Sequence, residues 1–385
     1  MVENVDDLPS LDAATLAPLV RDLLAEPTAV VADGWSCRPL GGGAGEGLGL
    51  YRVSGAAYVD GTSRPWALVV KVYAAADGAD PRSWDYPARE GLAYRSGLLA
   101  ALPGGLAAPR CLAFEAQPDG TSWLWLEALA DAHTSPWPLA RYARAARYLG
   151  RFNGAYLTGV PLPNQPWLSQ GWLRDFVAPS GSHVSELERL ASTDGFPLLQ
   201  RLYPPSVITE LRRLWEERES FLAALDRLPR TLCHHDAFRR NLLSRAGPEG
   251  EALVAVDWAY MGHGAVGEEL VPLVLGSLYF LEAPGITPHE LDPACFTAYV
   301  AGLREAGWLG DERLVRLGFT ADAALRYIVG CLYLMLPMVT DPAQQPLEEA
   351  LLGYPLEEVM EAYIALWPFQ FELAEEARAL LPLVS

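Results

Sequence analysis

Residues 234–241 read His-His-Asp-Ala-Phe-Arg-Arg-Asn, so that an aspartate, Asp236, stands five positions before an asparagine, Asn241. Sixteen residues after Asn241, a second aspartate, Asp257, closes the short apolar run 253–256. Carboxylates can act as general bases, and carboxylate and amide oxygens are ligands for hard cations. These three residues are therefore the first candidates for a catalytic centre.

The two adjacent histidines leave a different interpretation open. His234 and His235, together with Asp236, are compatible with the zinc or iron site of a metallohydrolase. Such a site needs a third or fourth ligand at suitable spacing, and His263 is the only nearby candidate in the sequence. The H-x-D-x-x-x-x-N spacing also arises by chance, so its meaning depends on residues elsewhere in the chain.

A lysine inside an apolar run is the second chemical feature. Lys71 lies within Ala-Leu-Val-Val-Lys-Val-Tyr at residues 67–73. An unpaired ammonium group is costly to bury, so a buried strand at this position requires an acidic partner for the lysine. Glu90, on the next predicted helix, is the partner we expect. The alternative is a surface lysine on an edge strand and a solvated glutamate.

A glycine-rich stretch, residues 41–47, precedes Lys71. Its backbone N–H groups could face the oxygens of a phosphate, although a flexible hairpin turn would have the same composition. The chain contains no GxxxxGK[ST] motif, so a P-loop nucleotide site is not supported.

Hydrophobic spacing indicates a β-rich N-terminal part. A leading helix is expected first, because apolar residues recur there at helical intervals, and the turn at Asp119-Gly120 predicts a hairpin. The predicted elements are a helix at 11–24, strands at 35–40, 48–53 and 66–73, a helix at 83–102, and a hairpin of 111–115 with 123–129.

The remainder of the chain is predicted to be mainly helical. The expected elements are helices at 137–157, 205–228, 267–281, 293–306, 312–339 and 356–381, with short strands at 231–234 paired with 242–243, and at 252–256. The predicted fold class is α+β with two lobes, a small mixed β lobe with one helix over residues 1–130 and a larger α-helical lobe over residues 131–385. A cleft would lie between the lobes.

The order of glycine-rich stretch, lysine, glutamate, H-x-D-x-x-x-x-N and aspartate resembles the aminoglycoside phosphotransferase and choline kinase-like family. That family has a protein-kinase-like fold and phosphorylates hydroxyl groups of small molecules with ATP and Mg²⁺. The resemblance covers residues 35–281. It implies that Asp236 is the catalytic base, that Asn241 and Asp257 are the metal ligands, and that Lys71, paired with Glu90, holds the nucleotide phosphates.

The resemblance also implies further nucleotide-binding residues. Gly43, Gly45 and Gly47 would lie over the nucleotide, and Glu127 and Leu129 occupy the position of the interlobe hinge whose backbone contacts adenine. Phosphoryl transfer needs in-line positioning and charge neutralisation more than covalent catalysis, which suits this set of residues.

Four departures from the family and from protein kinases are visible. His235 replaces the glycine of the usual H-G-D, and Asn153 stands where a histidine is common; a packing or hydrogen-bonding role is expected for Asn153. Glu269 replaces an aspartate, and we expect it to be structural and favoured by a helix dipole. No D-F-G, A-P-E or long activation segment is present, which favours a small-molecule acceptor over a protein.

Composition limits the remaining possibilities. The net charge of −19 would repel nucleic acid. It is compatible with a cationic acceptor, and equally with a charged surface that only keeps the protein in solution. Five scattered cysteines without CxxC spacing indicate reduced thiols. No signal peptide is evident, and the apolar run 327–339 is too short to span a bilayer. A cytoplasmic protein without membrane partners is therefore expected.

The sequence leaves the acceptor open among aminoglycosides, other antibiotics, choline-like amines, sugars and amino alcohols. It also leaves open a non-catalytic, nucleotide-binding relative. Retention of Lys71, Asp236 and Asp257 argues against that alternative, because a protein without catalysis has no need to keep all three.

Overall fold

The structure is a computed structural model and describes residues 11–40, 47–76, 78–132, 136–193, 195–247 and 250–384. It has a mixed α+β architecture in which a β-sheet lobe stands beside a larger helical portion. The described strands are β1 (Val30–Val31), β2 (Ser36–Pro39), β3 (Gly47–Val59), β4 (Thr62–Tyr73), β5 (Leu106–Ala107), β6 (Cys111–Ala116), β7 (Ser122–Glu127), β8 (Arg230–Cys233), β9 (Leu242–Gly247), β10 (Gly250–Ala255) and β11 (Gly262–Ala265).

The helices cluster after residue 138. The described helices are α1 (Ala13–Leu24), α2 (Arg89–Arg95), α3 (Leu139–Leu157), α4 (Trp172–Val177), α5 (Ser180–Ala191), α6 (Pro197–Leu202), α7 (Pro205–Asp226), α8 (Ser277–Tyr279), α9 (Pro288–Glu305), α10 (Glu312–Ala323), α11 (Leu332–Thr340), α12 (Gln345–Leu352) and α13 (Leu356–Leu380). Two π-helical segments, Pro272–Gly276 and Ala324–Gly330, precede α8 and follow α10.

The N-terminal sheet positions Lys71. Its strands run in the order β1-β3-β4-β7-β6, with β2 pairing the other part of β3. Lys71 on β4 stands opposite Leu50 on β3 and Leu124 on β7, so it lies on a central strand. One face of this sheet packs on α1 through Leu16 and Val20. The partial alternation of buried and less buried residues along β4 directs Lys71 away from that core.

Residues 234–241, called here the catalytic-type loop, lie between two small sheets. Strand β8 ends at Cys233, directly before the loop, and pairs antiparallel with β11. Strands β9 and β10 form an antiparallel hairpin that leads from Asn241 to Asp257, and β5 joins β10 in parallel. The predicted pairing of 231–234 with 242–243 is therefore wrong. The hairpin satisfies the backbone of β9 locally, and β8 finds its partner after Asp257.

The predicted helix at 83–102 is also wrong in extent, because α2 covers only Arg89–Arg95. Pro81 and Pro87 disfavour helical backbone before it, and Gly97 follows in the left-handed conformation at φ 77°. Carbonyls of the preceding loop, those of Ser83 and Trp84 among them, instead accept hydrogen bonds from the buried Arg89 guanidinium.

The helix predicted at 267–281 is present but shorter, because 266–269 form turns and helical backbone runs over 270–279, with the π-helical segment Pro272–Gly276 before α8. The helix predicted at 312–339 is present, with the π-helical segment Ala324–Gly330 in its middle. Within the described residues, this stretch, Glu312–Thr340, is long and apolar enough to cross a membrane, but 72% of its most apolar window is buried inside the protein. That burial is typical of the core helix of a soluble protein.

Candidate active site

Lys71 is the centre of a three-residue ion-pair network. Its Nζ lies 2.7 Å from Oε2 of Glu90 on α2 and 2.7 Å from Oδ1 of Asp257 after β10. Burial would lower the pKa of Lys71, but the two carboxylates outweigh burial and raise it above its ordinary value. The lysine is therefore a cation at neutral pH, and it joins the sheet, α2 and the loop after β10 at one point.

Glu90 is fully buried and has no free carboxylate oxygen. Oε2 accepts hydrogen bonds from Lys71 and from the hydroxyl of Tyr73, and Oε1 accepts one of 3.2 Å from the backbone N–H of Trp258. These donors compensate for the loss of water around the carboxylate. The network fixes Glu90 as a structural anchor for the ammonium group of Lys71.

Asp236 and Asn241 are joined within their loop. The Nδ2 of Asn241 donates hydrogen bonds of 2.9 Å to both the backbone oxygen and the Oδ2 of Asp236. Partial burial raises the pKa of Asp236 to about 7, against the opposing effects of Arg326 and Asn241. A carboxylate with a pKa near the working pH is suited to accept a proton from a hydroxyl group.

His234 stabilises this loop through hydrogen bonds to the backbone and has no free ring nitrogen for catalysis. Its Nε2 donates to the backbone oxygen of Val256 at 2.9 Å, and its Nδ1 accepts from the backbone N–H of Asp236 at 3.2 Å. Its own backbone N–H donates to Oε2 of Glu269 at 2.6 Å. Both ring nitrogens are thus engaged by the backbone, and the imidazole links the loop to the residue before Asp257.

The burial of His234 leads to a prediction about stability. Burial lowers its pKa from 6.5 to about 4, so the unfolded chain takes up this proton at a higher pH than the folded chain does. The contribution of His234 is present above about pH 6.5 and is lost as the pH falls towards 4, by about 3 kcal/mol. Urea unfolding between pH 4 and 7 measures it. The His234→Asn variant, which does not titrate, should show a shallower decline, and equal slopes would contradict the assignment.

His235 has a left-handed backbone, with φ 63°. A residue with a side chain costs about 1–2 kcal/mol in that region, whereas glycine adopts it readily. The conformation explains why the related family usually has glycine here. In this chain the imidazole is buried and stacks on Trp172, with ring centroids 5.1 Å apart and planes 11° apart.

Two oxygens of the site suit a hard cation. Asn241 donates to Asp236 through Nδ2, so this hydrogen bond does not use its Oδ1. Asp257 binds Lys71 through Oδ1, and 40% of its side chain is exposed. A carboxylate and an amide oxygen are ligands that Mg²⁺ prefers, together with water and phosphate oxygens. Among the described residues, no group of three or more His, Cys, Asp or Glu side chains could hold a metal ion by itself.

The predicted nucleotide-contacting residues are only partly described. Gly43 and Gly45 lie outside the described residues, and Gly47 begins β3, where it pairs with Tyr73. Glu127 ends β7, and its side chain accepts from the backbone N–H of Arg110 at 2.8 Å and from the guanidinium of Arg245. Oε1 of Glu127 is thus used within the protein, in line with a nucleotide contact through the backbone of this segment.

Two departures noted in the sequence have structural roles. Asn153 is buried, donates to the backbone oxygen of Leu232 at 2.8 Å and accepts from the hydroxyl of Tyr299 at 2.6 Å. Glu269 lies in the turn directly before the helical residues that begin at Leu270, and its Oε2 accepts a hydrogen bond from the backbone N–H of His234. The structural role expected for Glu269 is therefore direct support of the loop.

Sequence reasoning missed Arg326, which lies buried in the π-helical segment Ala324–Gly330 and approaches Asp236. No local pattern marks it, because ninety residues separate it from Asp236. It also passed over a signal for Lys71, which is the single lysine among 29 lysine and arginine residues. Every other lysine or arginine position of the chain is an arginine, and the one side-chain ammonium group binds two carboxylates.

The lysine–glutamate pair on the sheet lobe and the aspartate–asparagine loop on the helical portion define a small-molecule kinase of the protein-kinase-like fold. A family model described as the phosphotransferase enzyme family matches residues 53–311, well over half of the chain. The chain belongs to this family. No curated protein sequence matches it significantly.

Solved structures with a similar fold include kinases of several acceptors. A microcompartment-associated aminopropanol kinase is 15% identical, with coverage of 90% of this chain and 95% of its own and a TM-score of 0.50. An aminoglycoside phosphotransferase from Alicyclobacillus acidocaldarius is 13% identical, with coverage of 100% and 98% and a TM-score of 0.50. An amicoumacin kinase in complex with AMP-PNP, Ca²⁺ and Ami is 16% identical, with coverage of 84% and 88% and a TM-score of 0.49. At these identities the likeness of the first two structures concerns the fold alone.

Proposed function

We propose that the protein transfers the γ-phosphoryl group of ATP to a hydroxyl group of a small molecule. The observation that carries this proposal is the position of Lys71 Nζ, 2.7 Å from both Glu90 and Asp257. In this proposal the ammonium group, held between the buried Glu90 and the proposed metal ligand Asp257, binds nucleotide phosphates beside the cation. Membership in the phosphotransferase enzyme family supports the same reaction class.

Asp236 acts as the base in this proposal. Its carboxylate accepts the proton of the acceptor hydroxyl, the acceptor oxygen forms a bond to the γ-phosphorus, and the bond from that phosphorus to the β–γ bridging oxygen breaks. ADP leaves with that oxygen. Asn241 keeps the carboxylate in place through its hydrogen bond to Oδ2, and Lys71 neutralises charge on the departing phosphates.

Asn241 and Asp257 would hold Mg²⁺. The cation they would hold would supply neutralisation of the charge that develops during transfer. Asp257 can serve both partners, because only one of its oxygens binds Lys71 and the side chain is 40% exposed. The remaining ligands would be phosphate oxygens and water, as Mg²⁺ sites in proteins commonly have.

We propose a lobe division at residue 130, with nucleotide bound between the lobes. Residues 1–130 would supply Lys71, Glu90 and the glycines Gly43, Gly45 and Gly47 over the phosphates. The backbone of Glu127 and Leu129 would contact adenine. Residues 131–385 would supply the loop, the metal ligands and the acceptor pocket.

The acceptor is proposed to be a small hydroxylated molecule that carries a cationic group or another group able to pack on aromatic side chains. The ring of Tyr260 lies 5.8 Å, between centroids, from the indole of Trp172 on which His235 stacks. Burial raises the pKa of Tyr260 and of Tyr333, and the charge of Asp236 adds to this effect in both. Trp84 contacts both rings, with centroids 5.5 Å and 6.5 Å away. Aromatic faces bind cationic groups, and the net charge of −19 favours their approach.

The proposed function is tested by a screen for acceptor-dependent formation of ADP from ATP. The panel contains aminoglycosides and other antibiotics, choline-like amines, amino alcohols and sugars, and mass spectrometry of the acceptor identifies a phosphorylated product. One phosphorylated acceptor is expected. Nucleotide binding in a thermal-shift assay without any product would instead favour a non-catalytic protein, and stoichiometric tightly bound zinc or iron would favour a hydrolase.

Metal dependence gives a separate prediction. Chelation with EDTA should abolish ADP formation, and added Mg²⁺ should restore it, because Asn241 and Asp257 together supply too few ligands to hold the cation tightly without phosphate. The measurement is the rate of ADP formation during a Mg²⁺ titration. Turnover that survives exhaustive chelation would contradict the proposed metal ligands.

A further inference from the structure

A buried arginine supports the catalytic-type loop from a distant part of the chain. Arg326 lies in the π-helical segment Ala324–Gly330, and π-helical turns are found frequently at functional sites. Its NH1 donates a 2.6 Å hydrogen bond to the backbone oxygen of His235, and its NH2 lies 3.4 Å from Oδ1 of Asp236. One guanidinium group therefore reaches both the backbone and the side chain around the proposed base.

Trp172, the first residue of α4, completes the contact. The guanidinium carbon of Arg326 lies 4.4 Å from the centroid of the Trp172 ring system. His235 stacks on the same indole in nearly parallel orientation. The side chain of residue 235 is thus held by the indole, and its carbonyl oxygen is held by the arginine.

These contacts act on a residue whose backbone conformation is energetically unfavourable. His235 is left-handed at φ 63°, a conformation that persists for a side-chain-bearing residue only where surrounding contacts enforce it. Its Nε2 is buried and has no hydrogen-bond partner among the described residues. The Nε2 therefore makes no hydrogen bond that would hold the conformation, whereas the bond to the carbonyl oxygen and the stacking both do.

The charge of Arg326 is balanced by its surroundings. Asp322, one turn earlier on the same helix, and Asp236 raise the pKa of Arg326, and burial opposes them without reversing the direction. Burial raises the pKa of Glu268 to about 7 and that of Glu269 to about 8, and the cation of Arg326 is among the groups that oppose this rise. A fixed cation is therefore expected at this position across the working pH range.

We propose that Arg326 is a positioning residue for phosphoryl transfer. Together with Trp172 it holds residue 235 in the left-handed conformation and so places the carboxylate of Asp236 towards the acceptor hydroxyl. The inference rests on the proposed role of Asp236. It assigns to this chain a substitute for the glycine that the related family uses at position 235.

The first test compares Arg326→Lys with the native protein in Mg·ATP hydrolysis, with water as the acceptor. Lysine keeps the charge but cannot reach the carbonyl oxygen, Asp236 and the indole with one planar group. A misplaced base should lower kcat by about 10–100-fold, with KM for Mg·ATP changed by less than about threefold. The control is Arg316→Lys on α10, a partly buried arginine, which pairs with Asp292 and Glu376. That variant should lose stability and keep kcat.

The second test introduces glycine at position 235. If Arg326 acts through the left-handed backbone, His235→Gly should reduce the loss caused by Arg326→Lys by at least about threefold, as expected for coupled residues. An equal loss in both backgrounds would overturn the proposal, as would a native kcat in Arg326→Lys. A loss of Mg·ADP affinity equal to the loss of kcat would also overturn it, because it would indicate a general structural role.

A third comparison applies if Arg326→Lys does not fold. His235→Ala and His235→Gly both remove the stacking ring, but only alanine retains the left-handed cost. Turnover should be at least about threefold higher for glycine, and equal turnover would overturn the proposal. Asp236→Asn distinguishes the two levels of inference. If it retains turnover, the proposed base is wrong; if it is inactive while the Arg326 and His235 variants behave normally, only the positioning role is wrong.

Discussion

Replacement of Asp236 by asparagine is expected to lower kcat by about 10²–10⁴-fold, the usual contribution of a general base. The carboxamide has nearly the same shape, and the bond from Asn241 to the backbone oxygen of residue 236 remains available. The loop should therefore keep its conformation while the proton acceptor is lost. Initial rates of ADP formation with the phosphorylated acceptor, over a range of ATP concentrations, measure kcat and KM separately.

The control for this variant is Asp119→Asn, which removes the same charge from an exposed turn between β6 and β7. It should retain native turnover. Binding of Mg·ADP to Asp236→Asn should remain within about threefold of the native affinity, because the nucleotide is held by other residues. Near-native turnover in Asp236→Asn with the correct acceptor would exclude Asp236 as the base.

Replacement of Lys71 by methionine is expected to damage both stability and nucleotide binding. It leaves Glu90 buried without its cation and leaves Asp257 without the partner 2.7 Å from it. Removing one member of a buried pair costs about 3–5 kcal/mol, and we expect the lower end because Asp257 is 40% exposed. Urea unfolding without nucleotide measures this loss of stability.

Lys71→Arg separates charge from geometry. Arginine retains the positive charge, so less stability should be lost than with methionine, but its larger planar group cannot occupy the point between the two carboxylates. Turnover should fall in both variants, while only methionine removes the charge. If Lys71→Arg turned over ATP as fast as the native protein, the ammonium group would have no specific role at this position.

The pairing of Lys71 with Glu90 illustrates why part of the site is predictable from the sequence. A lysine in an apolar strand requires a carboxylate, and Glu90 was the nearest candidate on the next helix. The hydrogen-bonded contact between Lys71 and Glu90 confirms that local argument. Asp257 also binds Lys71, but 186 residues separate them, and no spacing rule predicts which distant carboxylate will join a buried cation.

Other features depended on tertiary contacts. The helix predicted at 83–102 has the right apolar spacing, yet residues 83–88 form a loop, because the buried guanidinium of Arg89 requires the backbone carbonyls that a helix would have used internally. Arg326 was unpredictable for a similar reason. Its segment reads as an ordinary apolar helix, and its function depends on a turn that lies ninety residues away. Composition and local periodicity contain no information about such contacts.

The presence of a single lysine makes this chain unusually simple to modify chemically. Apart from the chain's own amino terminus, an acylating reagent directed at amines finds only the Nζ of Lys71. That atom is 85% shielded at the level of its side chain and bound to two carboxylates, so acylation should be slow and slower still beneath a bound nucleotide. The rate at which a second mass increment, beyond that of the amino terminus, appears on the intact chain would then report occupancy of the phosphate site without any knowledge of the acceptor, because bound nucleotide would slow it.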